Sequence, residues 1–109
     1  MEGRRAPRVR AQTPISVGFV SSNEKFVGSL LDFSPFGLSV RTAHEVKAGM
    51  ILKLGIVSGA EVFRAAAIVR TSIPGGFGVE FLSMHPVDRE ALRRQYARLQ
   101  LAARNSKKA

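Results

Sequence analysis

The sequence predicts an all-β domain, a small six-stranded antiparallel β-barrel carrying one C-terminal α-helix. Three observations lead there. Short runs in which apolar and polar residues alternate recur along the chain, broken by turn residues at intervals of roughly 8–14 positions. Ten glycines and five prolines in 109 residues suit a chain that turns often. Helical periodicity is confined to the C-terminal quarter, beyond Pro86. A closed sheet also hides the strand edges that an open one would expose, and 109 residues suffice for one domain but not for two of ordinary size.

Residues 1–12 are polar, basic and without period, so they are expected to be a flexible arm. The barrel with its helix is expected over residues 13–104, and a basic tail over 105–109. Ile15, Val17 and Phe19 alternate with Ser16 and Gly18 as a half-buried first strand does, and Ser21-Ser22-Asn23-Glu24 reads as a hairpin turn. The second strand, Lys25 to Phe33, places Phe26, Gly28 and Leu30 on one face and delivers Asp32 to a turn. Leu38-Ser39-Val40-Arg41 resumes as a third strand. Met50 to Val57 and Val62 to Arg70 follow, with Ser58-Gly59 as a hairpin signal between them. Ala65, Ala66 and Ala67 mark a place where another element packs closely, and Phe77, Val79 and Phe81 alternate in the last strand. Leu92, Tyr96, Leu99 and Ala103 then recur at helical spacing, behind a proline and acids that suit a first helical turn.

The formal charge of +9 lies at the two ends. Residues 1–10 hold four arginines against Glu2, and residues 85–109 hold seven cations against Asp88 and Glu90, flanking a nearly balanced body. An anionic partner is therefore expected at an end. The absence of cysteine excludes a disulfide framework, a thiolate nucleophile and a Cys-ligated metal. No apolar run approaches the ~20 residues of a membrane span, and nothing near Met1 resembles a secretory signal, so a cytoplasmic location is expected. His44 and His85 stand alone in turn-like segments, with no partner at metal-ligand or catalytic spacing. Glu61 and Glu80 suit pairing with Arg64 or Arg70 better than acid–base work, and no enzyme activity is expected.

Binding is better supported. Arg4-Arg5-Ala6-Pro7-Arg8 sets guanidiniums on a stretch stiffened by proline, and a guanidinium donates two parallel bonds to phosphate while its flat face stacks on a base. In Asp32-Phe33-Ser34-Pro35-Phe36-Gly37 the carboxylate can accept from the N1 and N2 donors of a guanine, the serine offers a hydroxyl, and the glycine allows close backbone approach or a positive φ. Taken alone, Asp32 and Ser34 could equally make local turn bonds. Together with the arginine arm they complement guanine plus phosphate.

These two stretches resemble the signature of the PilZ domain family, bacterial receptors for cyclic di-GMP: R-x-x-x-R in an N-terminal loop and [D/N]-x-S-x-x-G on the barrel. Pro14-Ile15-Ser16-Val17, Lys47-Ala48-Gly49 and Gly76-Phe77-Gly78-Val79-Glu80-Phe81 are similar to the family's first strand, a turn before its fourth, and its last strand. The resemblance implies a six-stranded barrel with a C-terminal helix, here a stand-alone single-domain member. The implied ligand is cyclic di-GMP, with no other cofactor. Arg4 and Arg8 are implied as phosphate and guanine contacts, and Asp32, Ser34 and Gly37 as guanine-edge and turn residues; Arg5 has no place in the motif and is expected to help only as an adjacent guanidinium within reach. A downstream protein partner is expected to read an arm that wraps the ligand on binding. Two other readings remain open: a nucleic-acid-binding barrel that uses the basic ends, and a PilZ-like protein-interaction module without ligand.

Overall fold

The computed structural model describes residues 7–58 and 61–108. Its strands are β1 (Val9–Arg10), β2 (Ser16–Val20), β3 (Lys25–Ser34), β4 (Gly37–Arg41), β5 (Ile51–Ser58), β6 (Glu61–Ile73) and β7 (Gly76–Ser83), followed by helix α1 (Pro86–Lys108). All strand pairs are antiparallel. The order β3-β2-β5-β6-β7-β4 closes on itself through β3–β4, so β2 to β7 form the expected six-stranded barrel.

Alternation along each strand decides what lies inside. Val17 and Phe19 on β2, Leu52, Leu54 and Ile56 on β5, Phe63, Ala65, Ala67 and Val69 on β6, and Phe77 and Val79 on β7 are all buried. Alanine at 65 and 67 keeps the interior of this long strand thin. Aromatic rings gather in two groups. Phe19, Phe26 and Phe77 meet in one, where the half-buried His44 ring stacks on Phe26 at 3.9 Å and bonds Glu24 at 3.0 Å. His44 is thus a packed side chain rather than a solvated one. Phe33, Phe63, Phe81 and Tyr96 form the other group.

Helix α1 closes this second end. The His85 ring caps it, Nδ1 accepting from the Val87 N–H at 3.2 Å, and Asp88 in the first turn accepts from the Arg64 N–H at 2.9 Å. Ala91, Leu92 and Gln95 are buried against the barrel. The Gln95 Nε2 finds no partner among the described residues. Arg94 grips Glu61 through two bonds of 2.8 and 3.1 Å, with Arg98 at 3.9 Å, holding that carboxyl below the usual glutamate range. Glu61 therefore pairs with the helix, not with Arg64 or Arg70, because its position at the start of β6 faces the docked helix.

Two boundaries differ from expectation. Val9 and Arg10 pair with Phe33 and Asp32 as strand β1, and Val9 is buried, so order begins inside the stretch expected to be a flexible arm. β2 occupies that edge of β3 only as far as Ser29, which leaves the later backbone groups of β3 for β1 to pair with. The helix runs on through Lys108, past the expected end at 104. The Ser58-Gly59 turn lies partly outside the described residues.

Candidate functional site

The candidate site is built on the outer face of β3, β4, β7 and β6, and a β-bulge creates it. Pairing passes from Leu30↔Val40 to Asp32↔Ser39, leaving Leu31 as the extra residue. Strict alternation from the buried Leu30 would turn Asp32 into the core and Phe33 outward. The bulge reverses both. Phe33 is fully buried, and Asp32 reaches the surface. A second shift on β6 passes from Val69↔Val79 to Thr71↔Gly78 and sets Arg70 free of the ladder, where its Nε bonds Glu80 at 2.8 Å.

Cross-strand register then lines up Arg10, Asp32, Ser39, Gly78 and Thr71 in one row. Arg8 lies over it. Its Nε and Nη2 both reach Asp32 Oδ1, at 2.9 and 2.8 Å, and Nη2 also approaches the Ser39 hydroxyl at 3.4 Å. Beside them opens a cleft of about 400 Å³ whose bare floor is Gly78, with Arg8, Ser39, Arg70 and Thr71 around it. The Arg8–Asp32 pair is half-exposed, so water screens it and the guanidinium is free to exchange partners at little cost.

The turn that follows is locally wired. Ser34 is buried and its hydroxyl accepts from the Phe36 N–H at 3.1 Å, so it shapes the turn rather than facing the cleft. The Phe36 carbonyl in turn accepts from the Phe81 N–H at 2.8 Å, tying the turn to β7. Gly37 serves close approach and not positive φ: a Cβ there would run into the carbonyl oxygen of Val79 and lie 3.2 Å from the Glu80 Cα. Both obstacles are backbone, so Gly37→Ala is expected to cost about 3 kcal/mol. Gly18→Ala, which meets only the Gly55 oxygen at 4.0 Å, should stay within about 0.5 kcal/mol. Urea denaturation of the two variants measures the contrast.

Among the sequence-predicted residues, the structure brings together Arg8 and Asp32, with Ser34 and Gly37 in the adjoining turn. Arg4 and Arg5 lie outside the described residues. Sequence reasoning missed Ser39 and Thr71 and read Arg70 only as an ion-pair partner. Their signal was the outward phase of β4 and β6, which names them only once the register is known. A larger cavity of about 580 Å³ lies over β2, β5 and β6, floored by Gly18, Gly55 and Ala66, and shares none of these residues. No group of three or more acidic or histidine side chains suited to a metal gathers among the described residues. No described helix is long and apolar enough to cross a membrane.

The barrel is similar to solved structures. The PilZ domain of YcgR from Escherichia coli, solved with c-di-GMP, matches with a TM-score of 0.74 and 22% identity over 96% of this chain and 97% of that one. The PilZ domain of CeSA from a cellulose-synthesizing bacterium matches at 0.71 and 14% identity, over 87% and 99%. MrkH from K. pneumonia in its apo state matches at 0.78 and 16% identity, over 94% of this chain and 55% of that longer one. Among curated proteins none matches the chain. The family model of the PilZ domain matches residues 2–98, a span that runs from the arginine arm through the barrel into α1, and so the chain belongs to the PilZ domain family.

Proposed function

We propose that this chain is a cyclic di-GMP receptor. The observation that carries the reading is the Arg8 guanidinium, held on Asp32 and Ser39 at the mouth of a glycine-floored cleft. Membership of the PilZ family and the c-di-GMP-bound YcgR domain support it. Arg8 and Arg70 supply the fork-shaped donors that phosphate oxygens take. Asp32 Oδ2 has no hydrogen-bond partner among the described residues, and in this reading it accepts from the guanine edge. Bare Gly78 leaves room for a flat ring against the sheet. Arg4, the other arginine of the motif, is assigned to the same ligand, with the adjacent Arg5 as a helper. Binding that draws on these arginines changes the arm and its surroundings, and a protein partner in the cytoplasm reads that surface. The role is one of binding and signalling, without catalysis.

A nucleic-acid surface is less well supported, because single strands stack on several exposed aromatics, whereas Phe19, Phe33, Phe63 and Phe77 are spent in the core and Phe36 is the one largely exposed phenylalanine among the described residues. Isothermal titration with cyclic di-GMP, against GMP and a mixed oligonucleotide, tests the proposal. Saturable heat with cyclic di-GMP alone is expected. Binding of the oligonucleotide only, weakening steeply with salt, would transfer the role to the basic ends.

A further inference from the structure

The arm reaches the site under a constraint from the far end of the chain. The Tyr96 hydroxyl, on α1, donates to the Pro7 carbonyl oxygen at 2.5 Å. Pro7 is the residue before Arg8, and its carbonyl belongs to the planar peptide unit that ends at the Arg8 Cα, so holding that oxygen holds the point from which the Arg8 side chain starts. The Tyr96 ring packs edge-on against Phe33 at 6.2 Å, and Phe33 is the cross-strand partner of Val9. The same tyrosine thus holds the arm by its hydroxyl on one side of Arg8 and supports the ring beneath Val9 on the other. Burial pushes the Tyr96 phenol up from its ordinary value, so it stays protonated, and a donor, throughout the neutral range.

We propose that Tyr96 is a positioning residue for ligand binding: by fastening the Pro7 carbonyl to α1 it sets the place of the Arg8 guanidinium in the cleft, and it ties the arm to the helix. The ligand half of this statement rests on the cyclic di-GMP reading. The coupling is reciprocal: whatever shifts the arm works against the Tyr96 bond, and whatever moves α1 alters the hold on Arg8. Without the bond the arm must be ordered by the ligand itself, which lowers affinity.

Tyr96→Phe keeps the ring on Phe33 and removes only the hydroxyl. In the full chain it is expected to weaken cyclic di-GMP binding about 3- to 10-fold, the worth of one hydrogen bond. Without ligand, NMR is expected to show faster solvent exchange of the Arg8 Nε proton, now bonded to Asp32, and of the Ala11 amide, now bonded to the Leu31 carbonyl at 3.0 Å. The Arg64 amide on Asp88 of α1 and the Arg94 Nε proton on Glu61 should exchange as before, which a general loosening of the helix would not allow. Unchanged exchange at Arg8 and Ala11 overturns the proposal. Faster exchange with undiminished affinity overturns its ligand half. Failure of the unaltered chain to bind cyclic di-GMP would reject the receptor reading instead, while the exchange rates still decide whether Tyr96 places Arg8.

Discussion

Phe33→Ala is expected to cost about 3–5 kcal/mol of unfolding free energy, a large part of what a domain of this size possesses. The ring is 1% exposed and meets Phe63, Phe81 and Tyr96 at centroid distances of 5.9 to 6.4 Å. It also lies between strands, opposite Leu38 on β4 and Val9 on β1. Three assemblies thus rest on one side chain: the barrel core, the docked helix and the short strand that carries the arm. None of its neighbours is free to fill the gap, since Phe63 is buried from another strand and Tyr96 is tethered through its hydroxyl. Phe26→Ala is the comparison, because that ring is only partly buried and sits in the other aromatic group. Its loss should be clearly smaller in the same urea titration. A Phe33→Ala cost below about 1.5 kcal/mol would mean that helix and arm are not seated on this ring.

That strict alternation would turn the most consequential aromatic outward shows where sequence reasoning stops. Alternation places Val17, Phe19, Phe77 and Val79 correctly because no extra residue interrupts their own strands at those positions. At Leu31 the ladder is interrupted, and the bulge depends on β4, a partner strand that local pattern does not contain. One extra residue exchanges the faces of Asp32 and Phe33. The same holds for Arg70, freed by a shift against β7. Strand β1 was hidden for a different reason: a single buried valine among arginines carries no period, and only the unpaired stretch of β3 makes it a strand. Tyr96 was legible as part of a helix face, whereas its bond to Pro7 spans 89 positions and has no local trace. The motif itself was legible because its residue types state their chemistry. Ser34 shows the limit of that, since its residue type does not reveal that the hydroxyl is buried and accepts the Phe36 N–H of the turn.

Arg8→Ala is expected to lower cyclic di-GMP affinity by about 100-fold while leaving the barrel nearly as stable as before. The two halves come from different magnitudes. In the folded protein Arg8 makes an ion pair with Asp32 whose side chains are 47% and 30% exposed, and such pairs contribute about 0–1 kcal/mol. Toward a phosphate or guanine the same guanidinium makes charge-assisted bonds worth about 1.5–3 kcal/mol each, so losing one or two of them dominates. Arg8→Lys should recover little of the affinity, because a point charge cannot donate to Asp32 and to a ligand oxygen with the planar fork of arginine. Asp32→Ala weakens binding as well, and the double variant should lose less than the two single losses combined, since each residue positions the other. Paired titration and urea unfolding on this set separate the site from the fold. Normal binding by Arg8→Ala would remove the ligand from this cleft, and strict additivity would show that the ion pair and the ligand do not share Asp32.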